Sequence, residues 1–400
     1  MSINSTPQVL KKGTPSGHNL IWSGILGFLV FLGLLLAGQQ YREYNRTIAD
    51  TEDRLMAQAR VVDENLGANL IFINVLLSDV IRMQHGTPRI RAAEMNAYLR
   101  HQDDLIPGIR TIFVTDAHGR IILSSKEKII GFDGSGRDYF KTAFKISDPA
   151  RLIITPPFQT VLGTSVVTVT RAIIGDNGNF QGVVSASLDK DYFSTLLGSV
   201  LYAPDNRVSL VHARGDVFIS LPDSTAGFAG KNLTKSGSLF QRHMEGGKSA
   251  SIQRGRSWMM GEERLAALIT CQPSQLQVES PLVVSVSRSM DAVLAHWRRD
   301  TTVLAALYLL MSGISIVITM VILRYRSEHK RAREEHLKMR HLESLEILAA
   351  GMTHDFNNLI AAIIGFIQIA KSESQPGDTV YESMTVAMTR AVDATAETEE

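Results

Sequence analysis

Two stretches of the chain carry no charged residue, 20–38 (LIWSGILGFLVFLGLLLAG) and 303–323 (VLAALYLLMSGISIVITMVIL). A helix needs about 20 apolar residues to cross the hydrocarbon core of a bilayer, and each stretch meets that length. The pattern therefore predicts a transmembrane helix at 20–38 and another at 303–323. The first could also be read as a secretory signal, since Lys11 and Lys12 precede it and the small residues Ala37 and Gly38 end it. Its apolar run exceeds a usual signal core and no A-x-A site follows, so an uncleaved anchor is expected.

Between the two stretches the periodicity changes twice. From 41 to about 83 there is no Pro, and Leu55, Ala59, Val62 and Leu66 fall at helical spacing, which predicts one long helix rising from the membrane. Beyond it, TIFVTDAHGRIILSS alternates β-branched and polar residues around the turn 116–119, and SVVTVTRAIIGDNGNFQGVVSASLD does so around 176–178. Both predict antiparallel hairpins. RVSLVHARGDVFIS and RLAALITCQP with SPLVVSVS read as a weaker second copy, so two α+β modules in tandem are expected, at about 84–200 and 201–297.

After the second apolar stretch the period becomes that of a coiled coil. Leu342, Leu345, Ala349, Met352, Phe356, Leu359, Ile363 and Phe366 recur at alternating steps of three and four, the seam of a helix that packs on a partner helix. With Ala349 at position a, His354 falls at f and Asp355 at g, so the imidazole points away from the seam. Asn358 lies one turn above His354 on the same face. SESQPGDTV at 372–380 breaks the helix with Pro376 and Gly377, and 378–400 reads as a returning helix with Met384, Met388 and Ala391 on its apolar stripe. The expected product is an antiparallel hairpin that dimerises into a four-helix bundle.

Composition narrows the partners. The 400 residues include 41 basic and 40 acidic side chains, a net charge of +1, so no overall basic bias points to nucleic acid. A lone cysteine, Cys271, excludes an internal disulfide framework and a multi-cysteine metal site, and no metal site is expected. Charge is decisive at the flanks of the apolar stretches. Lys11 and Lys12 precede the first, and Arg324, Arg326, Lys330, Arg331 and Arg333 follow the second, which places both ends in the cytoplasm. The expected layout is a cytoplasmic N-terminus (1–19), a first span (20–38), an extracytoplasmic region (39–302), a second span (303–323), a coiled-coil linker (324–341) and the helical hairpin (342–400). DGSG at 133–136 lacks the spacing of a phosphate-binding loop and is expected to be a turn. No paired-carboxylate or nucleophile constellation stands out in either module.

The run GFDGSGRDYFKTAF, then ISDP, SVVTVTRAII, DNGNFQGVV and SASLDKDYF, resembles the membrane-distal half of a double Cache sensor domain, a PAS-like fold found outside many bacterial receptors. The resemblance spans about 40–297. It implies a small-molecule ligand in the distal module, held by an Arg, nearby aromatics and an acidic residue at the end of a later strand. The matching positions are Arg137, Tyr139 and Phe140, with Asp189 as the acid. Members of the family that bind amino acids show R-x-W-Y, where this chain has Arg137, Asp138, Tyr139 and Phe140. The expected ligand is therefore a small carboxylate, either an organic acid or an amino acid.

AAGMTHDFNNLI resembles the H-box of sensor histidine kinases in its HDFNN form. The resemblance implies that His354 is phosphorylated from ATP with Mg2+, that Asp355 acts as base or orienting group, and that Asn358 positions water for dephosphorylation. Leu359 replaces the proline that many family members carry next, so no kink is expected there. The ATP-binding domain of such kinases has no counterpart in these 400 residues, and the chain by itself is expected not to autophosphorylate. Taken together the expectation is a multi-domain, multi-pass plasma-membrane protein: a homodimeric protein histidine kinase of a two-component system, serving a response regulator. Its parts would be two transmembrane helices, an α+β tandem PAS-like sensor outside and a cytoplasmic helical dimerisation hairpin. The alternative is a non-catalytic receptor or phosphotransfer scaffold.

Overall fold

Helix α1 (Gly17–His85) begins just before the first apolar stretch and continues without a break through the expected sensor helix. The computed structural model describes residues 17–85, 91–160, 163–222, 227–228, 230–257, 259–373 and 379–396, except the side chains of 17–20, 349–350, 380–381 and 394–396. Lys11, Lys12, Pro376, Gly377 and the side chain of Ala349 lie outside these. Chain contacts divide the molecule into two units, Gly33–Ala305 and Met1–Leu32 with Ala306–Glu400.

In the first unit the elements after α1 are α2 (Ala92–Leu105), β1 (Ile109–Thr115), β2 (Ile121–Ser124), α3 (Asp138–Ile146), β3 (Arg151–Ile154), β4 (Phe158–Gln159), β5 (Ser165–Val166), β6 (Thr168–Ile174), β7 (Phe180–Leu188) and α4 (Lys190–Gly198). There follow β8 (Arg207–His212), β9 (Val217–Leu221), α5 (Leu239–Glu245), β10 (Ala250–Arg256), β11 (Glu263–Cys271), β12 (Gln277–Glu279), β13 (Leu282–Ser289) and α6 (Met290–Ser372). The hairpins expected from period-two alternation are present as β1–β2 and β6–β7. At the first turn Asp116 Oδ1 accepts from the amides of His118 and Arg120, both at 2.9 Å, and Gly119 takes φ +87°, a region open to glycine.

Six strands form one sheet in the order β12-β3-β6-β7-β1-β2, and five form a second in the order β10-β11-β13-β8-β9. Strand β12 departs from the modular reading. It lies within the range expected for the proximal module, yet it pairs in parallel with β3 of the distal sheet, Gln277 opposite Arg151 and Glu279 opposite Ile153. Arg151 Nη1 and Glu279 Oε2 meet at 2.8 Å across this pair. The modules are thus joined through a shared sheet.

Alternation sorts the strand residues onto two faces. Ile112 and Val114 of β1, with Leu265 and Ala267 of β11, join one core cluster that runs along α1 through both modules. The stripe of α1 in that cluster is Leu55, Ala59, Val62, Leu66, Leu70, Ile73, Leu77 and Val80, each no more than 1% exposed. Burying one such Leu or Val contributes about 1.5–3 kcal/mol, so this stripe is the main attachment of α1 to the sheets. The opposite face of each sheet has its own smaller cluster. One contains Phe113, Tyr139, Phe140 and Val183 and is closed by α3; the other contains Val217, Phe240, Ala266 and Leu268 and is closed by α5.

Where this unit narrows to two helices, Trp297 Nε1 donates to the carbonyl of Gln40 at 3.0 Å and Tyr44 packs edge-on against the Trp297 ring. Amphipathic aromatics at such positions suit a membrane–water boundary.

The second unit contains the start of α1, the rest of α6 and helix α7 (Thr379–Ala396). Both α1 and α6 are long and apolar enough to cross a membrane. Tyr308 Oη donates to the carbonyl of Leu29 at 2.9 Å, which satisfies a phenol inside the second apolar stretch. Helix α6 remains helical through the expected linker and the seam. Leu342, Leu345, Met352, Phe356, Leu359, Ile363 and Phe366 are all exposed in the single chain, whereas Ile360 beside them is buried.

Candidate functional site

The distal module encloses a pocket of about 50 Å3 between the sheet and α3. Arg137 stands immediately before α3, in extended backbone, so its side chain leaves the helix start toward the cavity. The guanidinium lies over two aromatic rings, 5.2 Å from the centroid of Phe158 and 5.9 Å from that of Phe132. Its Nη1 donates to the Gln159 carbonyl at 3.2 Å. Among the described residues Arg137 has no acidic partner, so a cation with spare donors faces the pocket.

Tyr139 supplies a second polar group. Its ring is 3% exposed and packs edge-on against Phe113 at 5.2 Å. No hydrogen-bond partner for its hydroxyl is found among the described residues, and burial pushes its pKa up to about 12, which keeps it a neutral donor. Gly134 allows this placement, because a Cβ there would run into the Tyr139 hydroxyl. Thr111 of β1 and Ser187 of β7 lie opposite on the sheet side.

The other two sequence-derived positions fall elsewhere. Phe140 does not line this pocket; it is buried in the cluster under α3 and packs against Phe180 at 5.4 Å and Phe144 at 6.5 Å. Asp189 caps α4, accepting from the Tyr192 amide at 2.8 Å, and its other oxygen is 3.7 Å from Arg110. It lines a neighbouring open cleft with Arg100, Asp103, Arg110 and Lys126, and Thr111 borders both spaces. In that cleft burial holds the Asp103 carboxyl above its ordinary range despite Lys126 at 2.5 Å. Phe132 and Phe158, which clasp Arg137, were not singled out by the sequence. Phe158 belongs to the two-residue strand β4, too short to give an alternation.

On α6, His354 Nδ1 is 3.5 Å from Asp355 Oδ1 and 3.3 Å from Asn358 Nδ2. All three side chains are exposed. The two neighbours approach one ring nitrogen, which leaves Nε2 facing outward. Among the described residues no group of three or more His, Cys, Asp or Glu side chains is placed to hold a metal ion.

Comparison with known proteins bears on the first of these sites. Residues 36–297 match the Cache domain family. No curated protein matches the sequence. Among solved structures, the extracellular domain of the candidate histidine kinase rpHK1S-Z16 is 26% identical, with a TM-score of 0.55 over 62% of this chain and 99% of that one. The periplasmic sensory domain of the Campylobacter jejuni chemoreceptor Tlp1 is 13% identical, with a TM-score of 0.49 over 62% of this chain and 98% of that one. The ligand-binding domain of the Pseudomonas aeruginosa amino acid chemoreceptor PctB, solved with L-Arg, is 15% identical, with a TM-score of 0.47 over 62% and 98%.

Proposed function

The chain belongs to the Cache-domain family, and from that premise we propose that it is a membrane-spanning sensor histidine kinase, with an extracytoplasmic sensor that binds a small carboxylate and a cytoplasmic helix that carries the phosphoacceptor His354. The observation that carries the kinase reading is the cluster of His354, Asp355 and Asn358 on one exposed helix face. The resemblance of the sensor to the extracellular domain of a candidate histidine kinase supports it. Two apolar helices flank the Cache domain, which supports a membrane-spanning layout with both ends on one side. The basic residues that follow the second stretch are the ground for assigning that side to the cytoplasm.

The chemistry follows from the ring. In the reacting tautomer Asp355 holds the proton on Nδ1, the Asn358 amide turning its Nδ2 donor away, and the Nε2 lone pair is free to attack the γ-phosphorus of ATP. The N–P bond forms as the bond to the ADP oxygen breaks; ADP leaves, and the Asp355 carboxylate offsets the positive charge that develops on the ring. ATP and Mg2+ would be delivered by an ATP-binding domain. Asn358 then orients water for hydrolysis of the phosphoimidazole, and a response regulator accepts the phosphoryl group otherwise. The exposed seam from Leu342 to Phe366 is covered by a second copy in a four-helix bundle.

The test is phosphorylation of the chain in lipid nanodiscs by a histidine-kinase ATP-binding domain added in trans. The expected result is acid-labile label from γ-labelled ATP on His354, abolished by His354→Gln and retained longer by Asn358→Ala. Label that persists in His354→Gln refutes the assignment. No label with any active ATP-binding domain favours the non-catalytic receptor.

A further inference from the structure

The proximal module repeats the pocket architecture of the distal one, and the repetition is visible in backbone hydrogen bonds. In the distal module the amide of Ile121 donates to the carbonyl of Phe132 at 2.9 Å, and Gly134 donates to Gly119 at 2.8 Å. In the proximal module Val217 donates to Lys231 at 2.9 Å, and Leu233 donates to Gly215 at 2.8 Å. Each pair ties a β-hairpin to the loop that leads into the covering helix, α3 in one case and α5 in the other. Arg137 and Ser238 are then the residues immediately before those helices. The space between sheet and helix persists in the second copy, where it is about 80 Å3, the larger of the two.

Its lining differs from a merely imperfect core. The described residues around it include Arg207, Arg256 and Arg264 and no acidic side chain. Arg264 is 3% exposed and already satisfied: it donates to Ser287 Oγ at 3.1 Å and to the Asp205 carbonyl at 2.7 Å, and it pairs with Glu262. It builds the floor. Arg256, on the rim, donates its Nε to the Gly261 carbonyl at 2.9 Å and has no acidic partner among the described residues, so its charge remains available. On the sheet side the Ser285 hydroxyl has no protein partner among the described residues, while Ser209 and Ser220 share a hydrogen bond at 2.9 Å. Phe228, Phe240, Met259 and Met260 supply apolar walls.

We propose that this cavity is a second ligand site, for a small anion with an apolar body, of the short-chain monocarboxylate class. The carboxylate meets the Arg256 guanidinium and the Ser285 hydroxyl, and the hydrocarbon part lies against the Phe and Met walls. Arginine suits this role because its planar fork matches a carboxylate, and the site's lack of acids disfavours a cation. The site is distinct from the Arg137 pocket and stands whether or not that pocket binds a carboxylate.

The experiment uses the full chain in nanodiscs with Arg137→Ala, so that the distal cation is removed, and with 13C-methyl methionine. Acetate, propionate, butyrate and valerate are titrated at constant ionic strength against chloride. The expected result is a saturable shift of the Met259 and Met260 methyl resonances with at least one of the four. Arg256→Ala should raise its Kd about tenfold, as loss of a charge-assisted contact does, and Ser285→Ala severalfold. Absence of a saturable shift with all four probes overturns the proposal. So does a shift whose Kd is unchanged by both substitutions, since Arg256 is exposed and Ser285→Ala removes one hydroxyl, changes the fold tolerates.

Discussion

His212 Nε2 lies 3.0 Å from the carbonyl oxygen of Ile154, a hydrogen bond that joins the end of β8 in the proximal sheet to the end of β3 in the distal one. On its other side Nδ1 accepts from the Arg214 amide at 3.2 Å. The ring is fully buried, and the two contacts define a neutral imidazole with its proton on Nε2. Protonation of Nδ1 would break the contact with Arg214 and place a charge at the junction of the modules.

This sets the sign of a pH dependence. Burial holds His212 below its ordinary pKa near 6.5; the bond to the Ile154 carbonyl is the main opposing effect, Arg214 adds to the lowering, and Asp216 and Asp138 oppose it further. His243, enclosed by Ser251 and Thr270, is lowered by burial as well. Below about 6.5 the unfolded chain binds protons that the folded chain refuses, so stability is complete above that pH and declines as pH falls. Half-buried Asp63 and buried Asp103, whose pKa values are raised by desolvation, push the other way between their ordinary and raised values. A difference measurement isolates His212: the fall in Tm from pH 7.5 to 5.5 should be smaller in His212→Gln than in the unaltered chain. An equal fall in both removes His212 from the account.

Gly134 and Tyr139 give a second prediction. A methyl group at Gly134 meets the Tyr139 hydroxyl and, at 3.0 Å, its Cζ. The ring cannot swing aside freely, since Phe113 packs edge-on and Phe158 at a tilt against it. Gly134→Ala should therefore cost about 1–3 kcal/mol by overpacking. Tyr139→Phe on that background removes the hydroxyl and should recover part of the loss. Chemical denaturation of the two single variants and the double variant checks this; strict additivity of the two costs would show that the groups do not meet.

How far the sequence reached can be read from particular residues. The α1 stripe was visible because Leu55, Ala59, Val62 and Leu66 obey a local 3.6-residue period, and burial follows that period. The β1–β2 and β6–β7 hairpins were visible for the same reason with a period of two. Strand β12 was not, because three residues joining a sheet whose other strands lie far away in sequence leave no local pattern. At the candidate site, Arg137 and Tyr139 do share a pocket, while Asp189 serves α4 and Arg110, a division that side-chain type could not reveal. On α6 the seam was legible as a period, but its partner is a matter of assembly that one chain's spacing leaves open.

The carboxylate reading of the distal pocket rests on an imbalance of charge. Arg137 stacks on Phe132 and Phe158 and spends one hydrogen bond on the Gln159 carbonyl, which fixes the plane of the guanidinium without neutralising it. A carboxylate entering the pocket gains a bidentate, charge-assisted contact with a group whose rotamer is already set, and the Tyr139 hydroxyl, kept protonated by burial, adds a donor. Such contacts contribute about 1.5–3 kcal/mol, or roughly 10- to 150-fold in Kd. Calorimetric titration of the full chain with a panel of organic acids and amino acids should find a ligand whose affinity falls by at least that lower factor in Arg137→Ala. Arg137→Lys should recover little, because a point charge replaces the fork and loses the stacking on two rings. Tyr139→Phe should cost less than Arg137→Ala, since it removes one neutral donor and preserves the aromatic wall. A carboxylate that binds Arg137→Ala as tightly as the unaltered chain, with Met259 and Met260 undisturbed, would place its site outside both pockets and end this reading of the distal module.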